Sequence, residues 1–305
     1  MQILERETKK TMLCVIIALM PALIMAVYNF GARAFILTLV CVAASVLFEF
    51  LFEKITKREN TVSDLSAIVT GLLLAYNLPP TFPYWMAIIG CFVAIVIVKQ
   101  LFGGIGQNFA NPAITARIVL LVSFSTDMAV WAKPQERFLS AADAVTGATP
   151  LTQFAEGSTD SLPSNMEMFI GTIGGSLGEI SAAALLIGAV ILLVTRVISP
   201  AIPVAYIGTV FVFTWALGLD PVFHILAGGV MLGAIFMATD PTTSPKTTVG
   251  KIIFGIGCGL LTVVIRVYGT YPEGVSFAIL LMNILTPHID SLTMRKPKAE
   301  KGGAN

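Results

Sequence analysis

The chain has 305 residues, of which 56% are hydrophobic and 12% are charged, and its formal net charge is +1. This balance excludes an ordinary soluble domain and predicts an integral membrane protein. A near-neutral charge also gives no basic surface for nucleic acid. The cysteines lie in apolar runs, without a CxxC pair or a metal-ligand spacing, so we expect buried packing residues and no metal site; they are Cys14, Cys41, Cys91 and Cys258.

Apolar stretches long enough to cross a bilayer as helices recur along the whole chain. They predict an all-α membrane protein with about ten transmembrane helices. The fifth stretch is short, and Gly228 and Gly229 interrupt the eighth, so both are candidates for bent or broken helices. The predicted spans are 12–29, 34–52, 62–78, 84–102, 112–125, 178–197, 203–219, 222–238, 251–268 and 274–290.

The basic residues predict the orientation of the helices. With the N-terminus in the cytoplasm, the outward segments contain only Arg33, Lys133 and Arg137, and Arg117 and Arg266 fall within spans. All other lysines and arginines then face inward, as the positive-inside rule requires. Both termini are therefore expected in the cytoplasm. The long segment 126–170, with six acidic residues against two basic ones, is expected outside.

An internal repeat relates the two halves of the chain. The segment IGCFVAIVIVK at 89–99 aligns without a gap on IGCGLLTVVIR at 256–266, and both end in a basic residue. Because each half holds five spans, the halves must cross the membrane in opposite directions, an arrangement that commonly builds a central site from discontinuous helices. We predict a single membrane domain, 1–305, composed of a first repeat (1–125), an external loop (126–170), a second repeat (171–295) and a cytoplasmic tail (296–305).

The external loop contains DAVTGATPLT at 143–152, with the pattern D-x-x-T-G-A-T. One interpretation is structural: the last threonine caps a short helix whose first residue is the following proline. The other is chemical, because the same pattern is recognised by flavin transferases, which join FMN through its phosphate to the last threonine. The residues of the pattern are Asp143, Thr146, Gly147, Ala148 and Thr149.

With this motif and three further segments, the chain resembles the D subunit of the Rnf complex, the ion-translocating ferredoxin:NAD oxidoreductase. It is also similar to the B subunit of the sodium-translocating NADH:quinone reductase. The short N-terminal segment before the first span favours the Rnf subunit. The further segments are GGIGQNFANPAITAR at 103–117, GSLGEISA at 175–182 and ATDPTTSP at 238–245.

The resemblance implies covalent FMN on Thr149 and a noncovalent riboflavin within the helices. It implies a bacterial cytoplasmic membrane, surrounding lipid, and partner subunits that include a second covalent flavoprotein and iron–sulfur proteins. The chain itself contains no glycine-rich dinucleotide fingerprint and no cysteine cluster. The sites for NAD and ferredoxin, and the catalytic residues, are therefore expected on the partners.

Polar residues within or next to spans are candidates for the second flavin, because polar groups in a bilayer are usually functional. Asn108, Asn111 and Arg117 could contact the flavin ring, although Asn111 also suits the N-cap of the fifth helix. Glu179 is expected at the start of the sixth span, exposed to water or in an ion path. Asp240 is expected in a loop, either as an ordinary loop residue, which the pattern favours, or as part of a flavin site or an ion path.

The predicted function is electron transfer across the membrane, coupled to Na⁺ or H⁺ translocation by the complex. The Rnf and quinone-reductase subunits remain alternatives at this point. A channel or transporter would also use inverted repeats and a polar site, but without a covalent cofactor. A purely structural anchor would need neither the DAVTGAT motif nor Arg117 inside a span.

Overall fold

The computed structural model describes residues 2–134, 146–157, 162–269 and 273–294, and in this part of the chain most residues are helical. The first half contains α1 (Gln2–Phe30), α2 (Ala32–Thr56), α3 (Ser66–Tyr76), α4 (Tyr84–Phe92) and α5 (Pro112–Ser123). Helix α4 continues in wider π-helical turns over Val93–Gln100. A 3-10 turn, Val62–Asp64, precedes α3.

Short elements occupy the segment between the two halves. These are α6 (Ser125–Met128), the strands β1 (Trp131–Ala132) and β2 (Thr146–Gly147), and the helices α7 (Pro150–Ala155) and α8 (Asn165–Ile170). The strands pair antiparallel, with Trp131 opposite Gly147. The second half contains α9 (Ala182–Val194), α10 (Ala201–Ala216), α11 (Pro221–Leu226), α12 (Val230–Leu232, then π-helical Gly233–Met237), α13 (Thr248–Tyr268) and α14 (Val275–Thr293).

Within the described ranges, four helices are long and apolar enough to cross a membrane by length and composition: Arg6–Phe30 of α1, and α2, α13 and α14. The chain is thus a predominantly helical, multi-pass membrane protein. Helices also occur at the other predicted spans, but several are short, such as the 11 residues of α3 and the 12 residues of α5. The count of ten membrane crossings stays a prediction.

The eighth predicted span is broken, as its glycines indicated. Helix α11 ends at Leu226, and α12 begins at Val230 after Gly228 adopts a φ of 65°. That backbone conformation favours glycine because it has no Cβ. The chain therefore changes direction here without a bulky side chain.

Close approach of small residues positions the helices. Helix α1 packs on α9 at Gly188, where an added Cβ would lie 2.3 Å from the carbonyl oxygen of Ala18. Helix α2 packs on α3 at Gly71, where an added Cβ would lie 2.8 Å from the carbonyl oxygen of Cys41. Small residues let backbones approach in this way in membrane proteins, where helices associate mainly through van der Waals packing. Cys41, Cys91 and Cys258 are buried free thiols in this packing.

Candidate functional site

The two loops predicted to serve a flavin meet at one cavity, which we name the asparagine cavity. It has a volume of about 120 Å³ and lies between α1, α3 and the loops at 103–111 and 238–242. The apolar side chains at its wall include Met12, Val15 and Phe236. Its polar lining includes Ser66, Thr70, Lys99, Asn108, Asn111, Asp240 and Thr242.

Asn111 is the N-cap of α5, as the structural interpretation predicted. Its side-chain oxygen accepts hydrogen bonds from the backbone N–H of Ala113 (3.1 Å) and Ile114 (3.2 Å). Its amide nitrogen donates to the carbonyl of Met237 at 3.3 Å, and its backbone N–H donates to the side chain of Asn283 at 3.1 Å. The Asn111 side chain thus joins the two loops and has protein partners at both of its polar atoms.

Asn108 differs from Asn111 in its bonding. It is 8% exposed, and its amide nitrogen donates to the carbonyl of Ala110, two residues away, at 3.0 Å. The same side chain interacts with the carboxylate of Asp240 at the cavity wall. Asn111, and not Asn108, caps α5 and donates a hydrogen bond to Met237. Of the two asparagines, Asn108 is the better placed to bind a ligand in the cavity.

Asn283 was missed by the sequence analysis. Its oxygen accepts from Asn111, and its nitrogen donates to the carbonyl of Thr243 at 3.1 Å, so α14 holds both loops in place. An asparagine in the middle of an apolar span is the signal that could have identified it.

Asp240 lies in the loop after α12, as predicted. One carboxylate oxygen accepts from the backbone N–H of Thr242 at 3.1 Å, and the other accepts from the hydroxyl of Thr243 at 3.3 Å. These bonds form a local turn that presents the residue at the cavity wall. The position of Asp240 in a loop is confirmed, and this loop borders the asparagine cavity.

A buried ion pair borders the same cavity. The ammonium of Lys99 lies 2.6 Å from a carboxylate oxygen of Glu49, which is fully buried, and 2.5 Å from the hydroxyl of Ser66. Gln100 donates to the same oxygen of Glu49 at 2.8 Å. From the sequence, Lys99 is predicted only to face inward and to end a repeated segment, because its partner lies 50 positions away.

Arg117 is buried, but it is not among the described residues that line the asparagine cavity. Its guanidinium donates to the carbonyl of Asn77 at 3.2 Å and to the hydroxyl of Ser276 at 2.7 Å, and it forms an ion pair with Glu273. The residue therefore connects the end of α3 to the start of α14. These contacts describe a structural link, and Asn108 and Asn111 are not among them.

Glu179 lies in the turn before α9, because that helix begins only at Ala182 with Ser181 as its N-cap. The expected exposure to water is wrong, because Glu179 is 6% exposed and its oxygen accepts from the backbone N–H of Ser176 at 2.9 Å, whereas its place in an ion path stays a prediction. Its second oxygen faces Gly229 at the break between α11 and α12. The turn is tight and requires the small residues around it. This requirement comes from tertiary packing, so helical periodicity does not reveal it.

Thr149 is the N-cap of α7, and Pro150 is the first helical residue, as the structural interpretation predicted. Its hydroxyl accepts from the backbone N–H of Thr152 at 3.1 Å and lies 2.8 Å from the hydroxyl of Thr152. Thr149 is 6% exposed. Asp143 and the side chain of Thr146 lie outside the described residues.

A second cavity, which we name the motif cavity, adjoins this threonine. Its volume is about 480 Å³, within the roughly 300–1,000 Å³ typical of ligand pockets. Residues on both sides of Thr149 line it, namely Gly147, Ala148 and Pro150. Its other lining residues include Lys133, Gln153, Glu167 and Thr172.

The two cavities lie toward opposite ends of α1. Met12 and Val15 line the asparagine cavity, whereas Asn29 donates to the carbonyl of Gly171 at 3.0 Å, next to Thr172 of the motif cavity. At a helical rise of 1.5 Å per residue, positions 15 to 29 are separated by about 21 Å. The two sites are therefore separated by a large part of a bilayer's thickness.

Comparison with known proteins identifies the family to which this architecture belongs. The model of the NQR2, RnfD, RnfE family matches residues 3–299, nearly the whole chain. The chain belongs to this family. This match confirms the resemblance that the sequence motifs predicted.

Curated relatives within this family carry related names. The chain is 49% identical to the D subunit of the Na(+)-translocating ferredoxin:NAD(+) oxidoreductase complex of Acetobacterium woodii, covering 96% of this chain and 91% of the relative. It is 43% identical to the proton-translocating counterpart of Clostridium ljungdahlii, covering 95% and 91%. It is 39% identical to the D subunit of the ion-translocating oxidoreductase complex of Stutzerimonas stutzeri, covering 97% and 93%.

Proposed function

We propose that this chain is the D subunit of an Rnf-type ion-translocating ferredoxin:NAD oxidoreductase, and that it carries electrons across the membrane between two flavins. The names of its relatives support the complex, and the high coverage supports the same subunit. The sequence DAVTGAT is the observation that carries the flavin assignment. Such a subunit acts with partners that bind ferredoxin and NAD, including iron–sulfur proteins and a second covalent flavoprotein.

Thr149 is the proposed attachment site for covalent FMN. Its hydroxyl faces that of Thr152, and the residues beside it line a cavity of about 480 Å³, large enough for a flavin. In the phosphoester form, Thr152 retains a nearby oxygen acceptor for its N–H, since the phosphate carries additional oxygens. These features fit an attached flavin without a large rearrangement of α7.

The asparagine cavity is the proposed site of riboflavin. Amide side chains can bond both donors and acceptors along the polar edge of a flavin ring, and the apolar wall suits its faces. The cavity volume of about 120 Å³ is below that of typical ligand pockets, so side chains at its mouth must move when the ring enters. Of the two asparagines at this wall, Asn108 makes fewer hydrogen bonds to the rest of the protein, and its side chain is the proposed direct contact with the flavin.

The protein's part in this chemistry is to hold the two rings in place and to tune their potentials. When bound, the flavins accept and release electrons. The side chains around the asparagine cavity orient one ring, and the loop with α7 holds the other. Arg117 and Glu179, buried between the two halves, are proposed to maintain this arrangement, and Glu179 and Asp240 are candidates for an ion path.

In the proposed orientation, which the distribution of basic residues supports, Thr149 lies outside and both termini lie in the cytoplasm of a bacterium with the chain in its inner membrane. The packing of α1 on α9 and of α5 on α14 supports an arrangement of two inverted repeats, because each pair joins corresponding helices of the two halves. In a variant with Glu156→Cys, we expect labelling by an impermeant thiol reagent from outside. Lys57→Cys should react only from inside, and the reverse pattern would contradict the topology.

The attachment of FMN is tested by the mass of the full chain, produced together with a flavin transferase. The wild-type chain should carry an FMN-sized addition and fluoresce after denaturing electrophoresis. Thr149→Ala should lose both signals, whereas the control Thr152→Ala should keep them. An unmodified wild-type chain would favour a channel or transporter of the same fold, which needs no covalent flavin.

A further inference from the structure

A lysine and a glutamine with no role in the proposed attachment face the same cavity as the flavin motif. Pairing of β1 with β2 places Trp131 opposite Gly147, and Lys133 follows β1 directly. The aliphatic part of the Lys133 side chain packs against the flavin motif. A Cβ added to Gly147 would lie 3.2 Å from the Cγ of Lys133 and 3.8 Å from its Cε. A side chain at position 147 would therefore displace the lysine.

Gln153 lies one helical turn after Thr149 and also lines the motif cavity. Its side-chain oxygen is buried and has no hydrogen-bond partner among the described residues. A buried acceptor without a partner costs free energy, so it points to a ligand or water that donates to it. The imide N–H of a flavin ring is a donor of this kind.

The charges at the cavity wall distinguish Lys133 from its neighbours. Glu167 also lines the cavity, and the backbone N–H and hydroxyl of Ser164 lower the pKa of this carboxyl by hydrogen bonding, so it is ionised at neutral pH. Its charge repels an anion. Among the described residues that line this cavity, Lys133 is the one cation, and it lies against the motif.

We propose that the motif cavity holds the ring of the covalent flavin, with Lys133 beside the phosphodiester anion and Gln153 accepting a hydrogen bond from the ring. This inference rests on the proposed attachment to Thr149. It makes Lys133 and Gln153 positioning residues, which set the flavin's potential and its protection from solvent. Neither residue participates in the attachment itself.

A neighbouring cavity is the competing location. It has a volume of about 420 Å³, shares Leu162 and Pro163 with the motif cavity, and contains His224, whose two ring nitrogens are buried without a partner in the described part of the chain. However, Phe154 and Phe223 pack edge-on against the imidazole, and the described residues of the D-x-x-T-G-A-T pattern do not line this cavity. The neighbours of Thr149 in the sequence, Gly147, Ala148 and Pro150, line the motif cavity and not this one, which favours the motif cavity for a flavin tethered to Thr149.

The test uses the full chain with its flavin attached, in which the reduction midpoint of the FMN and its quenching by iodide are measured. Lys133→Met removes the cation that stabilises added negative charge, so the midpoint should move to a more negative value, and Lys133→Arg should restore it. Gln153→Ala should increase iodide quenching severalfold, whereas Gln153→Glu places a charge beside the ring and should lower the midpoint. The exposed Lys57→Met and Glu156→Ala are the matched controls, and neither should change these properties.

The mass of each variant separates the two proposals. If FMN is attached but Lys133→Met and Gln153→Ala keep the wild-type midpoint and quenching, the positioning role is wrong and the attachment stands. If His224→Ala changes these properties and Lys133→Met does not, the ring lies in the neighbouring cavity and the inference is overturned. If the wild-type chain carries no FMN, both proposals fail together.

Discussion

The two asparagines of the loop at 103–111 should have separable roles, one in stability and one in flavin binding. Asn111→Ala removes the acceptor of two backbone N–H groups, at 3.1 and 3.2 Å, and the donor to Met237 at 3.3 Å. Loss of an N-cap costs about 1–2 kcal/mol. Loss of the buried bond to Met237 costs about 1–2 kcal/mol more, which brings the total to about 2–4 kcal/mol.

Asn108→Ala should behave differently, because the hydrogen bond from its amide nitrogen to the carbonyl of Ala110, at 3.0 Å, spans only two residues, and its loss costs about 1 kcal/mol. The variant also removes the contact with Asp240, but that carboxylate keeps its hydrogen bonds from Thr242 and Thr243. A flavin that loses this partner has an unpaired polar edge, and binding should weaken about tenfold. Asn111→Ser keeps a capping oxygen and should recover roughly half of the stability lost in Asn111→Ala.

Thermal unfolding of the purified variants, together with the riboflavin released on denaturation, measures both effects. We expect Asn108→Ala to unfold near the wild-type temperature with less riboflavin, and Asn111→Ala to unfold several degrees lower. A stable Asn111→Ala without riboflavin, beside an Asn108→Ala with full riboflavin, would refute this assignment of roles.

Two further predictions concern the helix bundle. Gly188→Ala should destabilise the protein by about 1–3 kcal/mol, because the new Cβ would lie 2.3 Å from a backbone oxygen of Ala18; Gly208→Ala, with nothing within 4 Å of its added Cβ, should gain up to about 1 kcal/mol. Equal unfolding temperatures for the two variants would contradict this close packing. Lys99→Met should lower the free energy of unfolding by about 3–5 kcal/mol, because it leaves the carboxylate of the buried Glu49 without its cation. Adding Glu49→Gln should restore most of that free energy. A double-mutant cycle without coupling would show that the ion pair contributes nothing.

Local sequence patterns were sufficient to predict the membrane class, the capping residues of α5 and α7, and the break in the helix after Leu226. Each depends on neighbours in the sequence: a run of apolar residues, an Asn or Thr before proline, or a glycine pair. The motif D-x-x-T-G-A-T is also contiguous, so the resemblance it carries is recognisable from the sequence alone. These features depend on interactions between residues a few positions apart, so they can be predicted from the sequence.

Tertiary structure decided which polar residues meet. Asn111 reaches Met237 and Asn283 across more than a hundred positions, and Lys99 finds Glu49 on another helix. Burial of Glu179 likewise depends on the turn before α9 and on its neighbour Gly229. Helical periodicity gives the face of one helix, but the partner of that face is set by how separate helices pack, and in a bilayer this depends on close contacts of small residues distributed over the whole chain.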